Sequence, residues 1–298
     1  MKIAIASGKG GTGKTTLATN LASLCSSVSR NTPTVLSDLD VEEPNSGIFL
    51  KGKTLHQKTI MKEIPEWIPE KCTFCNRCKE VCNFNAIAVL PESVLVFPEL
   101  CHSCYACVGL CPENALVMQD HPIGELNHYK VGQLDFIEGK LNIGEQQAVP
   151  LISKTIDYTK ENFPDHSLFL YDSPPGTSCP VIESVKEADY VILVAEPTPF
   201  GLHDLKLSVK TMRKVGKAFG VVINRHGLGN NDIEQFCREE QVTILGRIPN
   251  MPEIAKKYSR GELIIEIPEI RREMFSILAK TEEEVTGELT DRENHKTS

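Results

Sequence analysis

The sequence predicts an α/β protein built on a doubly wound, mostly parallel sheet, into which a small α+β unit is inserted. Three observations support this fold class. Short apolar runs typical of buried strands alternate with stretches of helical periodicity along most of the chain. A glycine-rich segment separates the first strand from the first helix, and eight of the eleven cysteines fall between Cys72 and Cys111. A chain of 298 residues is long enough for two domains of this kind.

Composition restricts the class of protein. Hydrophobic residues make up 41% of the chain and charged residues 24%, as in ordinary globular domains. The net charge of -8 argues against a surface that coats nucleic acid. No apolar run approaches the roughly 18 residues of a membrane-spanning helix, and the N-terminus lacks the pattern of a secretory signal. We therefore expect a cytoplasmic protein that binds neither nucleic acid nor a membrane.

The turn between the first strand and the first helix fits two phosphate-binding patterns. Residues 2–7 have strand character, and apolar residues recur at helical spacing after residue 16. Gly8, Gly10 and Gly13 satisfy the dinucleotide fingerprint G-x-G-x-x-G. Gly8 and Gly13 followed by Lys14-Thr15 also satisfy the P-loop pattern G-x4-G-K-[ST].

Lys14 and Thr15 favour the P-loop over a nicotinamide site, which stays the weaker alternative. A dinucleotide turn holds its pyrophosphate with backbone amides and does not need a lysine and a hydroxyl at the start of the helix. In a P-loop, Lys14 neutralises the β- and γ-phosphates and Thr15 binds Mg²⁺. The expected ligands are therefore ATP or ADP with Mg²⁺. The predicted binding loop comprises Gly8, Lys9, Gly10, Gly11, Thr12, Gly13, Lys14, Thr15 and Thr16.

Two later strands end in acidic residues. Residues 33–37 run into Asp38-Leu39-Asp40, and residues 167–171 run into Asp172 and a Ser-Pro-Pro-Gly sequence. An aspartate at the carboxyl edge of such a sheet, opposite the P-loop, can hold a Mg²⁺-bound water. The stiff prolines followed by glycine are typical of a loop that senses the γ-phosphate.

Further strand and helix signals complete the predicted sheet. Buried strands are expected at 190–195 and 220–223, the second of which ends in Asn224-Arg225. Helical periodicity near 202–216 and 231–240 alternates with these strands, as in a doubly wound fold.

The eight clustered cysteines form a repeated pattern. Each member of the second run lies 29 residues after its counterpart in the first, the runs being Cys72, Cys75, Cys78, Cys82 and Cys101, Cys104, Cys107, Cys111. The spacing C-x2-C-x2-C-x3-C is that of bacterial ferredoxins, in which the fourth cysteine of a run binds the other cluster. We therefore expect two [4Fe–4S] clusters, one held by Cys72, Cys75, Cys78 and Cys111 and the other by Cys82, Cys101, Cys104 and Cys107. Structural zinc and disulfides are weaker alternatives.

The glycine-rich loop carries a resemblance to a known family. Its sequence, Gly8-Lys-Gly-Gly-Thr-Gly-Lys-Thr15, resembles the deviant P-loop of the MinD/ParA/Mrp ATPases, whose mark is an early extra lysine, here Lys9. The resemblance continues through the Asp38, Asp172 and Asn224 segments to Ile248-Pro249. With the cysteine runs, the chain resembles the members of that superfamily that contain an inserted two-cluster ferredoxin domain. The expected domains are an ATPase domain of 1–61 and 121–285, a ferredoxin domain of 62–120 and a disordered polar tail of 286–298.

The resemblance implies roles for individual residues. Lys9 would reach across a homodimer to the partner's phosphates. Asp40 would orient the attacking water, Asp38 would support Mg²⁺ or the switch, and Asp172 would hold the Mg²⁺ shell through water. The alternative for Asp38 and Asp40 is a helix N-cap, and for Lys9 a solvated side chain.

The resemblance also implies a base-binding region. Asn224 would read the adenine edge beside Arg225, and the loop at Pro249 would pack near the base. Plain turn chemistry is the alternative for these residues.

The three remaining cysteines have no clear ligand pattern. Cys25 and Cys237 lie at apolar helical spacing and are expected in the core. Cys179 follows the Asp172 loop, and we expect a buried or switch-linked thiol. A shared cluster between subunits, as in relatives of the nitrogenase iron protein, is the alternative.

Two function classes fit these features. The first is an ATPase in which changes of the dimer and the switch loops, driven by Mg-ATP, are coupled to electron transfer through the two clusters. The second is an ATPase for assembly or delivery of an iron–sulfur or mixed-metal cofactor. Both imply a homodimer and a redox or cofactor-assembly protein partner. A purely structural role for the cysteine unit is a third, weaker interpretation.

Overall fold

A nine-stranded sheet organises the protein. The computed structural model describes residues 1–28 and 32–296, with side chains described as far as residue 287. The strands of the large sheet are β1 (Lys2–Ala6), β2 (Thr34–Asp38), β3 (Lys53–Trp67), β6 (Leu116–Val131), β7 (Leu134–Leu141), β8 (Leu168–Asp172), β9 (Tyr190–Ala195), β10 (Phe219–His226) and β11 (Ile244–Pro249). Their order is β11-β10-β9-β1-β8-β2-β7-β6-β3. Strands β11 to β7 run parallel, and β6 and β3 add an antiparallel edge.

Helices cover both faces of the sheet. They are α1 (Lys14–Val28), α4 (Ala148–Asn162), α5 (Cys179–Lys186), α6 (Pro199–Val215), α7 (Asp232–Glu239), α8 (Pro252–Ser259) and α9 (Pro268–Lys296). Alternate residues of a strand point to opposite faces. Ile3 and Ile5 accordingly join a core with α1 and α9, whereas Ala4 and Ala6 join a core with α4 to α7. The predicted α/β class with a large, mostly parallel sheet is confirmed.

A long antiparallel arm leaves the edge of this sheet. Strands β3 and β6 pair from Lys53↔Lys130 to Trp67↔Leu116. Residues 68–115 lie beyond the end of the arm and hold the short elements α2 (Arg77–Val81), β4 (Ile87–Val89), β5 (Val94–Val96) and α3 (Ala106–Gly109). The expected insertion limits of 62 and 120 therefore fall inside paired strands, and Lys62 itself pairs with His121.

The unit at residues 68–115 has an internal repeat in its backbone. Phe74, Asn76 and Asn85 have positive φ, and so do Ser103, Tyr105 and Asn114, each 29 residues later. The pairing Val96↔Ile87 in the small sheet corresponds to Trp67↔Leu116 at the end of the arm. The 29-residue repeat of the sequence is thus a repeat of structure.

The C-terminal end differs from the expected disordered tail over 286–298. Helix α9 continues to Lys296, and residues 297 and 298 lie outside the described residues. The segment contains no proline, so no residue in it lacks the N–H group that a continuing helix needs. No helix in the described part of the chain is long and apolar enough to cross a membrane.

Candidate functional site

The glycine-rich loop joins the end of β1 to the start of α1. Gly11 and Gly13 have φ of 75° and 96°, a region that side chains disfavour. A Cβ at Gly8 would collide with the backbone of Asp204, and one at Gly13 would collide with the side chain of Asn224. These glycines let the loop close tightly in front of the helix N-terminus, where backbone N–H groups and the helix dipole favour a phosphate.

Lys14, the first residue of α1, points into a group of carboxylates. It is only 6% exposed, and its Nζ donates a hydrogen bond to the carbonyl of Lys9 at 3.5 Å. Burial lowers the pKa of Lys14, and the charges of Asp172, Asp40 and Asp38 oppose this shift. The predicted lysine and all three predicted aspartates are therefore close enough to interact electrostatically.

Asp38 and Asp172 are register partners on the adjacent strands β2 and β8, and both are fully buried. Asp38 accepts backbone N–H bonds from Asp40, Asn45 and Ser46 at 2.9–3.1 Å. Burial raises its pKa to about 6, although these hydrogen bonds favour the charged form. Asp38 thus holds the loop that follows β2.

Asp172 has the opposite environment. Neither of its carboxylate oxygens has a hydrogen-bond partner in the described part of the chain. Burial, with the charge of Asp38, raises its pKa well above the usual range. The Lys14 ammonium favours its charged form, as does the Thr15 hydroxyl, which is nearby but does not have hydrogen-bond geometry. A buried carboxylate without partners is costly unless a cation completes it. Beside the loop, the hydroxyls of Thr12 and Ser173 are likewise buried without a partner.

Asp40 lies where the two predicted switch loops meet. It lines a groove together with Pro174 and Pro175 of the loop after β8, and with Ala148 at the start of α4. Burial, followed by the charge of Asp38, raises the pKa of Asp40 to about 6. A movement of either of these two loops would therefore change the surroundings of Asp40.

Lys9 is held by Glu196, a residue that no sequence motif indicated. Glu196 follows β9 directly and its side chain is 8% exposed. Its Oε2 lies 3.5 Å from Lys9 Nζ, and its Oε1 lies 2.8 Å from Arg225 Nη1. The sequence feature that could have identified Glu196 is its position directly after a buried strand, at the same sheet edge as Asp38 and Asp172.

Asn224 supports the loop from β10. Its Nδ2 donates to the carbonyl of Thr12 at 2.7 Å, and its Oδ1 accepts from the backbone N–H of Arg225 at 2.9 Å. Pro249, the last residue of β11, is in register with His226. The two predicted base-binding segments therefore lie on neighbouring strands.

The eight clustered cysteines sort into two cavities. Cavity A is lined by Cys72, Cys75, Cys78 and Cys111, and cavity B by Cys82, Cys101, Cys104 and Cys107. They enclose about 390 and 350 Å³ of space free of protein atoms, part of it open to solvent. Each cavity thus brings together three cysteines of one run and the fourth cysteine of the other.

The cysteine sulfurs receive backbone hydrogen bonds. The N–H groups of Ala86 and Ala115 donate to Cys82 and Cys111 at 3.3 and 3.2 Å, at equivalent positions of the repeat. Such bonds stabilise metal-bound thiolates and tune cluster potentials. Among the described residues, no three His, Cys, Asp or Glu side chains converge as they would on a single metal ion.

The remaining cysteines differ in exposure. Cys25 and Cys237 are buried, as predicted. Cys179 is exposed, so the buried half of the expectation of a buried or switch-linked thiol is wrong, and the link to the switch stays a prediction. It begins α5 directly after the Asp172 loop and lines a wide groove that reaches the cysteine unit.

Comparisons with known proteins agree with this geometry. Residues 3–264 match the family of CobQ/CobB/MinD/ParA nucleotide binding domains. Two uncharacterized proteins of Methanocaldococcus jannaschii are similar: MJ0578 is 33% identical and MJ0579 29%, over 77% and 91% of this chain and 80% and 94% of their own lengths. The fold resembles septum site-determining MinD of Pyrococcus horikoshii complexed with Mg-ADP, with a TM-score of 0.57, 18% identity and 94% coverage of both chains. It also resembles the cell division ATPase MinD of Pyrococcus furiosus, with a TM-score of 0.56 and 19% identity over 95% of this chain and 98% of that one. The chain therefore belongs to the CobQ/CobB/MinD/ParA family of nucleotide-binding domains.

Proposed function

We propose that the protein binds and hydrolyses Mg-ATP and couples the resulting change to electron transfer through two [4Fe–4S] clusters. One observation carries this proposal. Eight cysteines divide between two cavities, four to each, beyond the end of an arm that extends from the nucleotide-binding sheet.

The nucleotide half of the proposal rests on the residues around the glycine-rich loop. Lys14 would neutralise phosphate charge, Thr15 would bind Mg²⁺, and Asp172 would hold the Mg²⁺ shell. The lack of partners for the Asp172 oxygens supports this role, because a hydrated cation would supply them. Asp40 would orient the attacking water from its place in the groove between the two loops.

The dimer is the second part of this half. In the proposed homodimer, Lys9 would exchange its bond to Glu196 for the phosphates of the partner's nucleotide. Asn224 and Pro249 would lie near the adenine, which for Asn224 means exchanging its bond to the Thr12 carbonyl for the base.

The cluster half rests on the two cavities. Cavity A would hold one cluster and cavity B the other, each through four thiolates, and the clusters would supply one-electron chemistry. Zinc would require four ligands around one ion, whereas no such convergence occurs among the described residues. Four protein ligands for each cluster favour a resident redox group over a cargo that is handed on.

Anaerobic reconstitution tests this function. We expect about eight iron and eight sulfide per chain, ATP hydrolysis by the same preparation, and reduction potentials that change on addition of Mg-ATP. Four or fewer iron, with ATP-dependent transfer of iron to an apo-acceptor, would contradict electron transfer and support the assembly alternative. Absence of ATP hydrolysis would refute the nucleotide half.

A further inference from the structure

Cavity B is tied to the nucleotide-binding part of the protein through the turn that precedes it. This turn, Pro98–Leu100, leads directly into Cys101, the first cysteine of the second run. Lys62 Nζ donates to the carbonyl of Pro98 at 2.8 Å, and Gln147 Nε2 donates to the carbonyl of Glu99 at 3.1 Å. Two side chains from outside residues 68–115 therefore fix the position of the Cys101 backbone.

A buried ion pair holds Lys62 in this position. The side chains of Lys62 and Glu145 are only 4% and 9% exposed, and Lys62 Nζ lies 3.2 Å from Glu145 Oε2. The other carboxylate oxygen of Glu145 lies 2.9 Å from His121 Nε2. Because water screens such a pair little, it fixes residues 145–148, hereafter the strap, to the base of the arm.

The other end of the strap reaches the nucleotide site. Ala148 ends the strap and begins α4, and it lines the groove that contains Asp40, Pro174 and Pro175. Helix α4 packs against α5, which begins directly after the Asp172 loop. A rearrangement of either loop around a nucleotide would therefore displace the strap.

Cavity A lacks such a connection in the described part of the chain. Its equivalent turn, Pro69–Lys71, leads into Cys72, and no hydrogen bond found within residues 1–28 and 32–296 joins a side chain of the strap to that turn. The lining of cavity A lies entirely between Trp67 and Leu116. The two halves of an otherwise symmetric repeat thus differ in their link to the nucleotide site.

We propose that the strap transmits the nucleotide state to cavity B and not to cavity A, with Gln147 and Lys62 as positioning residues. This inference rests on the proposed function, and it names which of the two cluster sites is regulated. One site would change with Mg-ATP, and the other would keep a constant environment.

Hydrogen–deuterium exchange of the reconstituted protein tests the strap directly. The amides of Leu100 and Cys101 bond to Phe97 and Pro98, as those of Lys71 and Cys72 bond to Ile68 and Pro69. Mg-ATP should change the exchange rates of the Leu100 and Cys101 amides about fivefold, the effect of one hydrogen bond. The exchange rates of the Lys71 and Cys72 amides should stay the same. Equal changes in both pairs, or none in the first, would overturn the proposal.

Two variants distinguish the effect of the strap's bond to Glu99 from a general change in the groove. Gln147→Ala removes one of the two links between the strap and the turn, so it should weaken the nucleotide effect on Leu100 and Cys101 and leave iron content and ATP hydrolysis unchanged. Gln146→Ala alters the same groove and keeps the bond to Glu99, so it should retain the effect. A nucleotide effect of the same size in Gln147→Ala as in the wild type would refute the role of the strap.

Potentiometry gives an independent readout. A Cys104→Ser variant should change the electron paramagnetic resonance signal of cavity B and so identify it, and Cys75→Ser should do the same for cavity A. Only the signal of cavity B should shift its midpoint with Mg-ATP. A shift confined to cavity A would refute the inference alone, whereas loss of iron binding or of ATP hydrolysis in the unmodified protein would refute the proposed function.

Discussion

Replacing Asp172 by asparagine is expected to stabilise the nucleotide-free protein. The Asp172 carboxylate is fully buried without a hydrogen-bond partner and faces the charge of Asp38. A buried, unsatisfied polar group costs about 1–3 kcal/mol, and a charged one more. An amide of the same shape removes the repulsion by Asp38, and the buried Lys14 keeps the charges of Asp40 and Asp38 as partners, so we expect a gain of about 2 kcal/mol. That gain corresponds to a rise in melting temperature of roughly 4–8 °C.

The matched control is Asp38→Asn on the adjacent strand. Asp38 is equally buried, but its carboxylate accepts three backbone N–H bonds. An asparagine there would direct its own amide at the N–H groups of Asn45 or Ser46, so stability should fall by about 1–3 kcal/mol. Thermal denaturation in EDTA at pH 7.5 compares the two variants with the wild type. Destabilisation by Asp172→Asn to the same extent as by Asp38→Asn would refute the role of Asp172 in holding the Mg²⁺ shell.

The pH dependence of folding stability tests the sign of the Asp172→Asn effect independently. The pKa of Asp172 is raised in the folded state, so folding binds protons, and wild-type stability falls as pH rises through the unfolded pKa of about 4 towards the folded value. The advantage of Asp172→Asn should therefore vanish near pH 4 and grow above it. Added Mg-ADP at 100 times its Kd should stabilise the wild type by about 2.7 kcal/mol and Asp172→Asn by much less.

Three further substitutions test other parts of the protein. Asp40→Asn should bind Mg-ATP but release phosphate roughly 100-fold more slowly, the contribution of a group that orients or deprotonates water; hydrolysis at the wild-type rate would exclude that role. Cys82→Ser should perturb the electron paramagnetic resonance signal of cavity B, and a change in cavity A instead would exclude crossed ligation. Lys62→Met should lower the free energy of unfolding in urea by about 3 kcal/mol, because it removes the ammonium from the buried Glu145 carboxylate. The exposed Lys58→Met is its control and should change stability by less than about 0.5 kcal/mol.

The features predicted well from sequence are those fixed by local spacing. The P-loop needs glycines, a lysine and a hydroxyl in one short segment, so the segment itself states its geometry. The predicted strands at 190–195 and 220–223 are buried on both faces, and their apolar runs are correspondingly clear.

The features missed from sequence depend on contacts between distant segments. Strand β3 is exposed along its first seven residues and therefore lacks the apolar alternation of a half-buried strand. Glu196 acquires its role only because the sheet order places β9 beside β1, which brings Lys9 within 3.5 Å. Gln147 and Glu145 gain theirs from the folding of the arm against the start of α4.

A potentiometric titration of the reconstituted protein with and without Mg-ATP tests directly whether the nucleotide site is coupled to the clusters. We expect two [4Fe–4S] signals, one of which shifts its midpoint potential when Mg-ATP binds. Two signals with midpoints that are unchanged by Mg-ATP, in a preparation that hydrolyses ATP, would contradict the coupling of the two sites.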